Sequence, residues 1–119
     1  MKFRSKGEER IADFFEKKNI KYLYEFPLAV LDDGKLKIWY PDFNLPEYGI
    51  ILEYLGMSNN KSYENTTKHK KKVYSLNQLE VLFLDYKHLE NPNWDEILLN
   101  KIGNIVATRF GRFQEFFRR

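Results

Sequence analysis

The chain has 119 residues, 43% of them hydrophobic and 17% aromatic, so it is long enough and apolar enough to fold as one domain around a buried core. A formal net charge of +3 excludes a histone-like tail, and no cysteine with only two histidines excludes a disulfide scaffold, a cysteine nucleophile and a thiolate or multi-histidine zinc site. No apolar run approaches the roughly 18 residues that cross a bilayer, and the N-terminus lacks the apolar stretch of a signal peptide, so we expect a soluble, cytoplasmic protein without a membrane partner.

Seven elements are predicted in the order α-β-β-β-α-β-α. Ser5 and Glu8 have the spacing of a capping box at the start of the first helix, and the turn signal 32–34 joins the first two strands as a hairpin. The third strand is apolar on both alternating faces, which is typical of a central strand. The last helix begins at Trp94 and runs toward the C-terminus, with an interruption at Gly103. The approximate ranges of the elements are 6–18, 20–31, 36–43, 50–55, 62–77, 81–84 and 94–119.

This order predicts an α/β fold with a mixed sheet flanked by helices. Hairpin strands followed by a helical crossover place the last strand, a buried one, beside the earlier strands through a right-handed connection. We expect a single domain over 1–119, with a core over about 5–86 and a C-terminal helical extension over about 93–119.

Two acids mark the candidate site. Asp42 lies at the end of one predicted strand, and Glu53 lies in the middle of a strongly apolar one, where an unpaired carboxylate is costly to bury. If the intervening turn is centred between residues 47 and 48, the two acids face each other across adjacent strands, with Cβ atoms about 5 Å apart. Two carboxylates this close repel each other and form a hard-oxygen site for Mg²⁺ or Mn²⁺.

These motifs resemble the PD-(D/E)XK nuclease superfamily, whose fold is restriction-endonuclease-like with an αβββαβ core. The segment Tyr40-Pro41-Asp42-Phe43, Glu53 eleven residues later and Ser5-x-Gly7-Glu8 before the first helix look most like the small branch associated with superfamily I helicases. The resemblance covers about 5–86 and implies a metal-dependent DNA nuclease.

The resemblance also implies the site residues. Asp42, Glu53 and the Tyr54 carbonyl would hold the metal, and Glu8 would join through water. The usual lysine two residues after the acid is absent, because that position is Leu55. In the helicase-associated branch the lysine comes from the following helix, and the Lys-x-x-x-Tyr spacing points to Lys70, with its neighbours at 71 and 72 left as alternatives.

Basic segments provide candidate DNA contacts. Residues 61–75 and 101–119 each hold five Lys or Arg residues against one Glu. Such patches neutralise flanking phosphates with little sequence information. The candidate DNA-binding side chains are Lys68, Lys71, Lys72, Arg109 and Arg112.

Three functions stay open. The first is a Mg²⁺- or Mn²⁺-dependent phosphodiester hydrolase (an endonuclease or exonuclease) acting on DNA in repair, recombination or mobile-element processing, and working as a homodimer if it cuts both strands. The alternative is a catalytically inactive nucleic-acid-binding module with the same fold, which the missing lysine at Leu55 favours. A third reading is an interaction domain whose partner docks on the C-terminal face of Phe113, Phe116 and Phe117, a face that also suits dimerisation or the stacking of unpaired bases.

Overall fold

A computed structural model of the chain describes residues 2–56 and 61–118, with the surroundings of side chains described for 2–56 and 64–112. The helices are α1 Lys6–Lys17, α2 Lys61–Leu76, α3 Tyr86–Glu90 and α4 Trp94–Arg118. The strands are β1 Leu23–Tyr24, β2 Leu28–Asp32, β3 Lys35–Trp39, β4 Phe43–Leu45, β5 Ile50–Tyr54 and β6 Glu80–Leu84.

Four of the strands form a mixed sheet in the order β1-β4-β5-β6. The β1–β4 and β4–β5 pairs are antiparallel, and the β5–β6 pair is parallel across the α2 connection. The predicted mixed α/β sheet flanked by helices is thereby confirmed. β6 lies at the edge of the sheet, and of its apolar residues Leu84 alone is buried while 81–83 are half-buried. The prediction of a buried last strand therefore holds for Leu84 alone.

The strand predicted over 20–31 is two strands in different sheets. Glu25 adopts a φ of 49°, which turns the backbone after β1, and Pro27 precedes β2. Positive φ is uncommon for a residue with a Cβ, and here the Glu25 N–H donates to the Asp42 carbonyl (3.1 Å). A tertiary hydrogen bond thus overrides the strand propensity of the segment.

β2 and β3 form the predicted hairpin as a separate two-stranded sheet. Its turn residues Asp33 and Gly34 both have positive φ values, 53° and 74°, as a two-residue turn of type I′ requires. β3 ends at Trp39, four residues before the predicted end at 43. Phe43 begins a new strand, β4, which also includes residues 44–45 that were predicted to lie in the turn.

The core has one cluster on each face of the sheet. Ile50 and Leu52 of β5 belong to a large cluster with α1 and α4, including Phe15 and Leu98. Ile51 belongs to a smaller cluster with α2 and β2. Side chains alternate along a strand, so the residue after Leu52 also faces α2. The helix α1 begins as predicted, since the Ser5 Oγ accepts a hydrogen bond from the Glu8 N–H (3.1 Å).

The C-terminal helix begins at Trp94 as predicted and is more regular than predicted. α4 continues through Gly103 without an interruption, and it buries Leu98 and Ile102 in the cluster that contains α1. The short helix α3, capped by Asp85, was not predicted. None of the helices in the described part of the chain is both long and apolar enough to cross a membrane.

Candidate metal centre

The register between β4 and β5 places Asp42 against Glu53. Phe43 pairs with Leu52 as the last pair of the ladder, so the next residues in the same register are the two acids. The ladder is closed by a side chain, because the Tyr54 N–H donates to the Asp42 Oδ2 at 2.7 Å. The predicted juxtaposition of the two carboxylates across adjacent strands follows from the observed register.

Glu53 is held by two side chains of α2. Its carboxylate is almost fully buried, with 5% of the residue exposed. The Tyr74 hydroxyl donates to the Oε1 atom (2.9 Å), and the Lys70 ammonium lies 3.7 Å from the Oε2 atom. The two partners are four residues apart on one helix, so both reach the same carboxylate. Of the three lysines left open by the sequence, Lys70 contacts the acid.

Asp42 also belongs to a second group of carboxylates. One carboxylate oxygen each of Glu8, Glu25 and Asp42 lie within 4.8 Å of one another. Glu8 is 5% exposed and accepts a hydrogen bond from the Ser5 hydroxyl (3.1 Å). Glu25 pairs with the Arg4 guanidinium at 2.8 Å. Asp42 therefore neighbours both this pair of glutamates and, through the strand register, Glu53.

The electrostatics of the centre disfavour its negative charge. Burial raises the pKa of Asp42 to about 6; the Tyr54 N–H bond and Lys70 act in the opposite direction, and Glu53 adds to the rise. Burial likewise raises the pKa of Glu8, and the nearby charge of Asp42 raises it further. Carboxylates that are desolvated beside one another favour a proton or a divalent cation. This donor set of oxygen atoms fits Mg²⁺ or Mn²⁺.

Two site residues had no usable signal in the sequence. Glu25 stood in a segment predicted as one strand, and its inward position depends on the positive φ described above. Tyr74 was used only as the end of a spacing pattern, whereas it binds Glu53 directly and is 1% exposed. A buried tyrosine requires a partner for its hydroxyl, and that requirement identifies Tyr74 once its burial is known.

The start of α1 is fitted closely against β5. A Cβ atom on Gly7 would lie 2.4 Å from the Tyr54 Cζ and 2.6 Å from its hydroxyl oxygen. Only glycine permits the ring to pack there without a displacement. Because Glu8 follows Gly7 and Tyr54 follows Glu53, this contact fixes the distance between the helix and the acid pair. The Tyr54 carbonyl stays a predicted ligand, while its N–H has the role described above.

The predicted DNA-binding side chains separate into two groups. Lys68, Lys71 and Lys72 are exposed on α2, and Arg112 is exposed on α4. Arg109 is half-buried, and its guanidinium donates to the carbonyls of residues 48 and 49 in the turn between β4 and β5. These hydrogen bonds attach α4 to that turn, and the DNA contact of Arg109 stays a prediction. The predicted face of Phe113, Phe116 and Phe117 lies outside the described side chains.

Comparison with known proteins found no relative of this chain. No family model, no curated protein and no solved structure matched the chain.

Proposed function

We propose that the protein is a Mg²⁺- or Mn²⁺-dependent deoxyribonuclease with the restriction-endonuclease-like fold of the PD-(D/E)XK superfamily. The observation that carries the proposal is that Asp42, before β4, stands in register opposite Glu53 of β5, whose carboxylate lies 3.7 Å from the ammonium of Lys70 in α2. This is the arrangement that the resemblance implies, with the lysine supplied by the helix.

The side chains have separate tasks in phosphodiester hydrolysis. A bound Mg²⁺ supplies acidification of a coordinated water and neutralisation of phosphate charge. Asp42 and Glu53 would hold the ion, and Glu8 and Glu25 would complete its surroundings directly or through water. The Lys70 ammonium orients the attacking water and stabilises charge that develops on the phosphate. Tyr74 fixes one Glu53 oxygen and leaves the other oriented toward Lys70.

The exposed lysines of α2 extend this centre into a surface that can accept a phosphate backbone. Lys68, Lys71 and Lys72 lie on the helix that carries Lys70. Their contribution to DNA affinity should fall with salt, because it depends on counterion release. A homodimer belongs to the proposal only for a double-strand cut, since one centre cleaves one strand.

The test combines metal titration with cleavage of labelled single-stranded, duplex and branched DNA. Wild-type protein should bind Mg²⁺ or Mn²⁺ and cleave at least one substrate, and Glu53→Gln should lose both properties. Lys70→Met should lose cleavage by at least about a hundredfold, as expected for a group that stabilises the transition state. Lys71→Met is the matched control on the next residue of the same helix; it should weaken DNA affinity but keep the wild-type cleavage rate at saturating DNA within a few-fold.

The same assay decides the alternative of an inactive DNA-binding module, which Leu55 at the usual lysine position favours. DNA binding without metal uptake and without any metal-dependent product would establish that alternative. Cleavage that persists in Glu53→Gln and Lys70→Met would refute the assignment of the centre.

A further inference from the structure

Two exposed aromatic rings flank the acidic centre. Three described aromatic side chains are more than half exposed: Phe26 at 54%, Tyr40 at 63% and Phe110 at 59%. Phe26 directly follows Glu25, and Tyr40 precedes Asp42 by two residues. The other aromatic rings near the centre are buried or half-buried, including the chain of contacts among Phe3, Tyr24 and Phe43.

The positions of these two rings are tied to the centre by the backbone. The Glu25 N–H donates to the Asp42 carbonyl at 3.1 Å, and the two carboxylates are within 4.8 Å. Since consecutive Cα atoms are about 3.8 Å apart, each ring starts from a Cα within about 8 Å of that of its acid. Phe26 and Tyr40 therefore leave the backbone next to the same carboxylate group.

The outer face of the β2–β3 hairpin, which precedes Tyr40 in the chain, is also apolar. Leu36 and Ile38 of β3 are 72% and 52% exposed, and Leu31, which pairs with Leu36 across the hairpin, is 56% exposed. These side chains share the outer face of the hairpin, because they stand at alternate positions of paired strands. The opposite face carries Val30, which packs against α2.

Asp42 thus has carboxylates that suit a metal beside it and the Lys70 cation of α2 nearby, while exposed rings that suit the faces of bases stand next to Glu25 and two residues before Asp42. Bases in a duplex are already stacked on each other, and inserting a ring between them costs unstacking energy, so exposed rings stack most readily on unpaired nucleotides. We infer that Phe26 and Tyr40 stack on unpaired bases at the mouth of the centre, so that the DNA strand it accepts is single-stranded there.

This inference rests on the proposed function for its choice of DNA, and its test is a binding measurement that needs no cleavage. Fluorescence anisotropy in EDTA compares a short oligothymidylate with an abasic strand of equal length and charge, and with a duplex. Wild-type protein should prefer the oligothymidylate over the abasic strand by roughly 5- to 150-fold for each stacked base. Tyr40→Ala and Phe26→Ala should lose most of this preference and keep the affinity for the abasic strand.

Two variants serve as controls. Tyr40→Phe keeps the ring and should keep the preference for the strand with bases. Phe110→Ala removes a ring of similar exposure on α4 and should change neither affinity. Because all of these side chains are exposed, thermal melting should show folded variants with wild-type stability within about 0.5 kcal/mol.

The outcomes separate this inference from the proposed function. If the wild-type protein prefers the strand with bases and Tyr40→Ala removes this preference, but the wild type never cleaves DNA, stacking is supported and the nuclease is refuted. Normal cleavage with a base preference that Tyr40→Ala and Phe26→Ala leave unchanged would overturn stacking alone. Two other outcomes would also overturn stacking. One is an equal loss of affinity for duplex and for oligothymidylate in the Ala variants. The other is a self-association that Tyr40→Ala abolishes while DNA binding is unchanged.

Discussion

Replacing Asp42 by Asn should stabilise the metal-free protein at alkaline pH. Burial raises the pKa of this carboxyl from 3.8 to about 6, which means that the folded state disfavours its ionised form. A shift of about two units, at about 1.36 kcal/mol per unit, corresponds to roughly 3 kcal/mol at a pH well above both values. The amide has no charge to desolvate, and its oxygen can still accept the hydrogen bond from the Tyr54 N–H.

The direction in which stability changes with pH follows from the two pKa values of Asp42, folded and unfolded. The folded pKa is higher than the unfolded pKa, so folding is favoured by protonation, and stability falls as the pH rises from about 4 to about 6. Asp42→Asn should therefore increase the free energy of unfolding by up to about 3 kcal/mol near pH 8 and change it little near pH 4. Urea denaturation in EDTA at several pH values measures this difference, with unchanged m-values as the check that the same structure unfolds.

Metal ions should make the wild type more stable than Asp42→Asn. An ion that binds only the folded wild-type protein adds about 2.7 kcal/mol at a concentration one hundred times its dissociation constant. Mg²⁺ should raise the melting temperature of the wild type and leave that of Asp42→Asn nearly unchanged. A destabilised Asp42→Asn at alkaline pH, or an effect of the same size at both ends of the pH range, would refute the reasoning.

Three further predictions concern the residues around the acid pair. Tyr74→Phe removes the hydroxyl that donates to buried Glu53 and should destabilise the protein by about 1.5–3 kcal/mol in urea denaturation; an unchanged midpoint would contradict the contact. Gly7→Ala should destabilise the protein by about 1–3 kcal/mol, because the added methyl group overpacks against the Tyr54 ring. In a double-mutant cycle, the same substitution should cost little in a Tyr54→Leu background, and an equal loss in both backgrounds would exclude the ring as the cause. Hydrogen bonds from the His69 imidazole and the Lys37 ammonium lower the pKa of Asp32. Asp32→Asn should therefore lower the free energy of unfolding at neutral pH, by an amount that shrinks as the pH falls below about 4. A loss of stability that does not depend on pH would argue against this ionic role.

The register of the acid pair could be predicted because it depends on local rules. A turn centred between residues 47 and 48 fixes which residues oppose each other, and the observed pairing of Phe43 with Leu52 has that register. The burial of Glu53 also follows from its sequence neighbours. Residues 50, 51 and 52 are all aliphatic, and β5 is paired with a strand on both sides.

The parts that could not be predicted depend on contacts between distant residues. Glu25 enters the centre only because its backbone turns to bind the Asp42 carbonyl, and nothing in the sequence of a Tyr- and Phe-rich segment signals such a turn. The choice of Lys70 among adjacent lysines depends on the rotation of α2 about its axis, which the burial of Tyr74 and Val73 fixes. Gly103 failed as an interruption because Ile102 before it and Ile105 after it both pack in the core.

The bond between the Tyr54 N–H and the Asp42 carboxylate makes one backbone proton a reporter on the centre. At this point a side-chain oxygen replaces the carbonyl that would otherwise continue the ladder, so the amide senses the charge of the carboxylate directly. In an NMR titration, the chemical shift of this amide should follow the protonation of Asp42 with a midpoint near its pKa of about 6. Its hydrogen exchange should also slow when a cation fixes the carboxylate, so a single resonance measures the occupancy of the centre without any substrate.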